Sequence, residues 1–236
     1  MKLVVFDCDG TLVDSQHMIC AAMQQTYDQH GLVCPPREIV LSIVGLSLQE
    51  AFVTLAAGNA AHPIDGLIES YKSAFQSLRR DNTHHEPLYP GARDAVEMLA
   101  QRDDVLLGIA TGKSVRGVKL VLGHHGLYDR FVTVQTADTA PSKPDPAMLH
   151  QAMREAGAEP HDTVMIGDTV FDIAMARAAG VAAIGVSWGY HPVADLHAAG
   201  ADVVVDDFAQ LVLALETRWS SPARHTRGEP RKQPHA

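Results

Sequence analysis

Leu3-Val4-Val5-Phe6-Asp7-Cys8-Asp9-Gly10-Thr11 opens the chain with four apolar residues that run into two acids and a glycine. A short unbroken apolar run bounded this way reads as a strand buried on both faces, the kind found inside a parallel sheet. Gly10 permits a tight exit from it. Asp7 and Asp9 therefore sit where a buried strand surfaces, and the rest of the chain decides what they serve.

Residues 15–85 read as helices and turns only. A helical period covers 15–30 and closes at Gly31, a C-terminal cap. Cys34-Pro35-Pro36 breaks the chain, and further helices are predicted near 37–43 and over 64–80. Between them Gly45-Leu46-Ser47 opens another helix, with Ser47 and Glu50 spaced as a capping box. After Tyr89-Pro90-Gly91 the pattern changes. Strands are predicted at 105–110, 131–134, 164–166, 181–186 and 203–205. Helices separate them at 92–101, 115–122, 147–156, 170–179 and 208–216. Such alternation implies a doubly wound parallel α/β sheet with right-handed crossovers. The expected organisation is an α/β core from 1–14 and 88–218, interrupted by a small helical cap at 15–87. The Pro-, Arg- and His-rich stretch 219–236 reads as a disordered tail.

Composition narrows the function. The chain has 236 residues and a formal net charge of −9, without the basic face a nucleic-acid binder needs. Three cysteines, Cys8, Cys20 and Cys34, lack metal or redox spacing and read as free thiols of a reducing cytoplasm. The apolar start is cut short by Asp7, which argues against a signal peptide. No run approaches the ~20 apolar residues of a membrane span. Trp188 and Trp219 say nothing decisive about oligomeric state.

Ligands of open parallel sheets bind beyond the carboxyl ends of the strands. The residues there are Asp7 and Asp9, then Thr111 and Gly112, then Ser142-Lys143-Pro144, then Asp168. Three carboxylates suit a hard cation, and a hydroxyl, backbone N–H groups and a lysine suit a phosphate.

Four segments carry a resemblance. DxDGT at Asp7–Thr11, ATGK at Ala110–Lys113, SKPDP at Ser142–Pro146 and GDTxxD at Gly167–Asp172 resemble, in order and spacing, the motifs of the haloacid dehalogenase-like superfamily. The resemblance implies a phosphatase acting on a small phosphorylated metabolite. Asp7 would form an aspartyl-phosphate, and Asp9 would act as general acid and base. Mg2+ would be held by Asp7, the Asp9 carbonyl and Asp168. Thr111, the Gly112 N–H and Lys143 would stabilise the transferring phosphoryl group. Asp172, one helical turn beyond Asp168, would orient a water or Lys143, although Thr169 and Asp172 also fit a plain capping pair.

The phosphoglycolate phosphatase-like branch is the nearest in look, with phosphoglycolate or a sugar phosphate as the implied substrate. Ile19 stands where the phosphomutase branch usually has a histidine, which leaves a mutase as an alternative. A catalytically silent phosphometabolite sensor is the other. Gly45-Leu46-Ser47 is the expected specificity loop. Lys72 and Arg79 or Arg80 are candidate anion contacts but read mainly as solvated helix charges, Lys113 and Asp14 as peripheral, and Cys8 as a small core residue. His84–His85 and His124–His125 read as solvated loops.

Overall fold

The computed structural model describes residues 1–59, 62–81 and 86–220. Six strands form one parallel sheet: β1 (Lys2–Phe6), β2 (Val105–Thr111), β3 (Thr133–Thr136), β4 (Thr163–Gly167), β5 (Ala182–Val186) and β6 (Val203–Val205). Their order is β3-β2-β1-β4-β5-β6. Strand β1 is thus central, with Phe6 level with Ile109 on one side and Ile166 on the other. The carboxyl ends of β1, β2 and β4 therefore lie side by side.

Alternation along β1 builds the core on both faces. Val4 and Phe6 face one way, against Val96 and Leu99 of α5 (Ala92–Ala100), Val118 of α6 (Val115–His124) and Leu211 of α10 (Phe208–Ser220). Leu3 and Val5 face the other, against Met148 and Leu149 of α7 (Ala147–Ala156), Ile173 of α8 (Val170–Ala179) and Leu196 of α9 (Val193–Ala198).

Between β1 and α5 the chain folds four helices: α1 (Gln16–Gln29), α2 (Arg37–Leu41), α3 (Leu48–Ala56) and α4 (Ile64–Asp81). They have their own apolar cluster, in which Tyr27 stacks on Phe52 and Phe52 meets Tyr71 edge-on, with centroids 6.4 and 6.0 Å apart. Both ends of this insertion are pinned together, Asp14 N–H donating to the Pro87 carbonyl at 2.8 Å.

Three elements depart from expectation. Strand β3 starts two residues late: Phe131 caps a short 3-10 turn (Tyr128–Arg130) and packs edge-on to Phe6, so its apolar side chain marks core rather than strand. The strand itself is polar and buried, and Thr133 and Gln135 satisfy themselves on Glu155 at 2.6 and 2.8 Å. Helix α9 is too short to show a period. Helix α10 runs to Ser220, four residues past the predicted end, because the Trp219 ring is covered by Lys2 and Arg102 at 4.7 and 4.8 Å. The expected disorder of 219–236 is thus wrong for Trp219 and Ser220, and 221–236 lie outside the described residues, as do His84 and His85. His124 is exposed, whereas His125 is half-buried with Nε2 2.8 Å from the Glu86 carbonyl.

Candidate functional site

The shared strand edge gathers Asp7, Asp168, Asp172 and Lys143, each essentially without solvent exposure. One carboxylate oxygen from each aspartate lies within 4.8 Å of the others. Lys143 Nζ donates to Asp172 Oδ1 at 2.6 Å and stands 3.0 Å from Asp7 Oδ2. Burial alone would lower the lysine's pKa, but the Asp172 and Asp7 carboxylates outweigh it and hold the ammonium above its ordinary range.

Asp7 Oδ1 accepts from the Cys8 N–H at 2.6 Å. Its Oδ2 has the Lys143 charge nearby but no well-directed hydrogen bond. Burial pushes its pKa up to about 7, with Lys143 opposing, Asp172 adding to the rise, and the Thr111 hydroxyl opposing. Asp168 is also raised, first by burial and then by its neighbours Asp172 and Asp7.

Each acid is held by local structure. Thr11 Oγ1 donates to Asp168 Oδ1 at 2.8 Å, and Tyr190 N–H to Oδ2 at 2.9 Å. Gly10 (φ +86°) and Gly189 lie so close that a Cβ at either would fall 2.2 or 2.0 Å from an Asp168 side-chain atom. Asp172 Oδ2 takes the Thr169 N–H and hydroxyl at 3.1 and 2.7 Å, a complete capping box for α8. Its other oxygen is the one that meets Lys143, so capping and the lysine contact coexist.

Asp9 stands beside this cluster, bonded by the Ser15 hydroxyl and by Lys113 Nζ at 2.9 and 3.2 Å. This corrects the peripheral reading of Lys113, whose side chain is 9% exposed. Glu86 explains the burial: it takes Lys113 at 3.1 Å and also Arg79 from α4. Phe75 lies between the two cations, 5.1 Å from each. Arg79 therefore reaches the core lysine through Glu86 and is not a solvated charge. Lys72 pairs with Glu69 on its own helix and is half-exposed.

The insertion closes directly on the strand edge. Ser47 N–H donates to Ser142 Oγ at 2.8 Å, and its own hydroxyl caps α3 by accepting from Glu50 N. A Cβ on Gly112 would lie 2.4 Å from the Leu46 carbonyl oxygen. A cleft of about 650 Å³, open to solvent on one side, reaches Asp7, Asp9, Thr111, Gly112 and Lys113 on its core side and Gly45–Ser47 on the other. Reasoning from the sequence missed Thr11, Ser15, Glu86, Lys113 and Tyr190. The rule that strand ends carry sites points to the Trp188–His191 loop after β5.

A parallel sheet with acids and a lysine at its carboxyl edge, closed over by a helical insertion, defines a class of α/β enzymes that work on anions. The family model described as haloacid dehalogenase-like hydrolase matches residues 4–186. The chain belongs to that family. It is 35% identical over 214 residues to "Probable phosphatase IndB" of Dickeya dadantii, spanning 89% of this chain and 91% of that one. It is likewise 35% identical over 221 residues to the phosphoglycolate phosphatase of Rhodospirillum rubrum, 89% of each chain. A solved hydrolase from Pseudomonas syringae has the same fold, with a TM-score of 0.80 at 24% identity over 92% of this chain and 99% of that one. Among the described residues no helix is long and apolar enough to cross a membrane.

Proposed function

We propose that this chain is a cytoplasmic phosphatase that hydrolyses a small phosphate monoester, with Asp7 as nucleophile. The observation that carries this is the Asp7 carboxylate: buried at the cavity floor, flanked by Lys143 and Thr111, with Asp9 on the same wall. The names of the relatives support the reaction class.

Charge and donor chemistry support a divalent cation. Asp7, Asp168 and Asp172 gather three carboxylates, of which Lys143 meets Asp7 and Asp172, and Asp7 Oδ2 is a buried oxygen without a directed hydrogen bond. An all-oxygen donor set of this kind fits Mg2+. Asp7, Asp168 and the Asp9 carbonyl would hold it, while the Asp172 oxygens are engaged by Lys143 and Thr169. When bound, it would screen the repulsion between Asp7 and a phosphate dianion.

The residues of the chain then divide the work. Asp7 attacks phosphorus and becomes an aspartyl-phosphate while the ester oxygen leaves. Asp9, aimed by Ser15 and Lys113, gives the leaving oxygen its proton and later takes one from the attacking water. Thr111, the Gly112 N–H and Lys143 meet charge on the transferring oxygens. Asp172 fixes the lysine. The insertion covers part of the cleft and limits the access of bulk water to the floor.

Phosphate release from a panel of small esters tests this, run with Mg2+, with EDTA and as Asp7→Asn. Metal-dependent release that is lost in Asp7→Asn is expected. Release that persists in Asp7→Asn would contradict the assignment. A mutase reading has no comparable support, since Ile19 presents an apolar side chain to the cavity.

A further inference from the structure

We infer that the leaving group of the substrate is an uncharged, largely apolar body of at least aromatic-ring size, not a carboxylate such as glycolate. The inference rests on the phosphatase reading and deepens it.

Size is the first argument. A cavity of about 650 Å³ lies in the range that encloses whole drug-sized ligands, and a phosphoryl group with a two-carbon acid would leave most of it empty.

The lining is the second argument. Above the Asp7 floor the walls are Ile19 and Met23 from α1, Ile43 and Leu46 from the connecting loop, Phe75 from α4 and Leu120 from α6. Leu120 is 45% exposed on the core side of this cavity, an apolar side chain still wanting a partner.

Charge is the third. A carboxylate taken out of water needs an unspent cation. Lys113 is already shared by Asp9 and Glu86, and Arg79 is held by Glu86. Lys72 pairs with Glu69 in a half-exposed position, and Arg116, in the first turn of α6, lines the cavity but stands exposed. Among the described lining cations only Arg116 lacks a carboxylate partner, and it is solvent-exposed.

The reaction balances as a hydrolysis: the P–O ester bond breaks, the leaving oxygen takes a proton, and water supplies the fourth oxygen of the phosphate. Benzyl phosphate and 2-phosphoglycolate release alcohols of similar basicity, so they differ mainly in what the cavity sees. With Mg2+-loaded protein, kcat/KM for benzyl phosphate should exceed that for 2-phosphoglycolate by about tenfold or more, the lower end of what a few apolar groups discriminate. Leu120→Lys, a change at an exposed position checked by circular dichroism, should narrow the ratio at least about fivefold from both sides. Equal or better use of 2-phosphoglycolate would overturn the inference while leaving the phosphatase reading intact. So would a ratio that Leu120→Lys does not move. Turnover of neither ester, nor of any other in the panel, would overturn the phosphatase reading and the inference with it.

Discussion

Lys143→Met removes the cation that, among the described residues, contacts the buried Asp7–Asp172 pair, while nearly conserving side-chain volume. At an effective dielectric of about 20, unit charges about 3 Å apart attract by roughly 5 kcal/mol. Lys143 has two such contacts, at 2.6 and 3.0 Å, offset by the cost of burying its ammonium. Truncating one side of a buried ion pair typically leaves a net loss of about 3–5 kcal/mol, because the carboxylates remain without a cation. For a chain of this size that is a fall in Tm of roughly 10 °C. The loss should depend on pH, since protonating Asp7 is the cheapest way to relieve the unpaired charge. Urea unfolding of both proteins in EDTA, at pH 8 and pH 5.5, tests this. The deficit should be largest at pH 8 and shrink at pH 5.5, and Mg2+ at pH 8 should narrow it. A deficit below about 1 kcal/mol at pH 8, or one unchanged between the two pH values, would refute the idea that Lys143 balances these acids.

Wild-type stability without metal should itself fall as pH rises. The folded Asp7 pKa of about 7 lies above the ordinary 3.8, and Asp168 is raised in the same direction, so the folded chain holds protons that the unfolded chain has released. This contribution is complete below about pH 4 and is lost as pH climbs through 7, which a Tm series in EDTA would show. Mg2+ should flatten that series, because it favours the ionised carboxylates. Gly112→Ala would push a Cβ to 2.4 Å from the Leu46 carbonyl, so the loop must back away; kcat/KM should drop about 100-fold, with unfolding little changed. Arg79→Ala cuts the link from α4 to Glu86 and should raise KM several-fold more than it lowers kcat, read by steady-state kinetics. Asp7→Asn should cost at least about 1000-fold in kcat while leaving the fold intact.

Much of this was legible in the chain. The apolar run before Asp7 and the later strand–helix alternation are consequences of burying one sheet on two faces, and they announce themselves in sequence. Asp7, Thr111 and Asp168 could be brought together because each ends a strand and parallel strands end on one edge. Lys113 could not be placed that way. Alone it is an ordinary lysine, and only Glu86, 27 residues away, and Phe75 from the insertion make it a buried charge. Glu86 lies in a segment without period, and Tyr190 acts on Asp168 through its backbone, which no side-chain pattern reveals. Strand β3 was misplaced for the converse reason: Phe131 is apolar because it packs on Phe6, not because it lies in the sheet.

The central claim is that phosphate leaves its ester by way of Asp7. Its most direct test is the stereochemical course at phosphorus, followed by 31P NMR on an ester made chiral with oxygen isotopes, with transfer of the phosphoryl group to an alcohol acceptor. An aspartyl-phosphate requires two in-line displacements, so the account predicts net retention of configuration. Net inversion would mean that the acceptor attacks the ester directly, and Asp7 would not be the nucleophile.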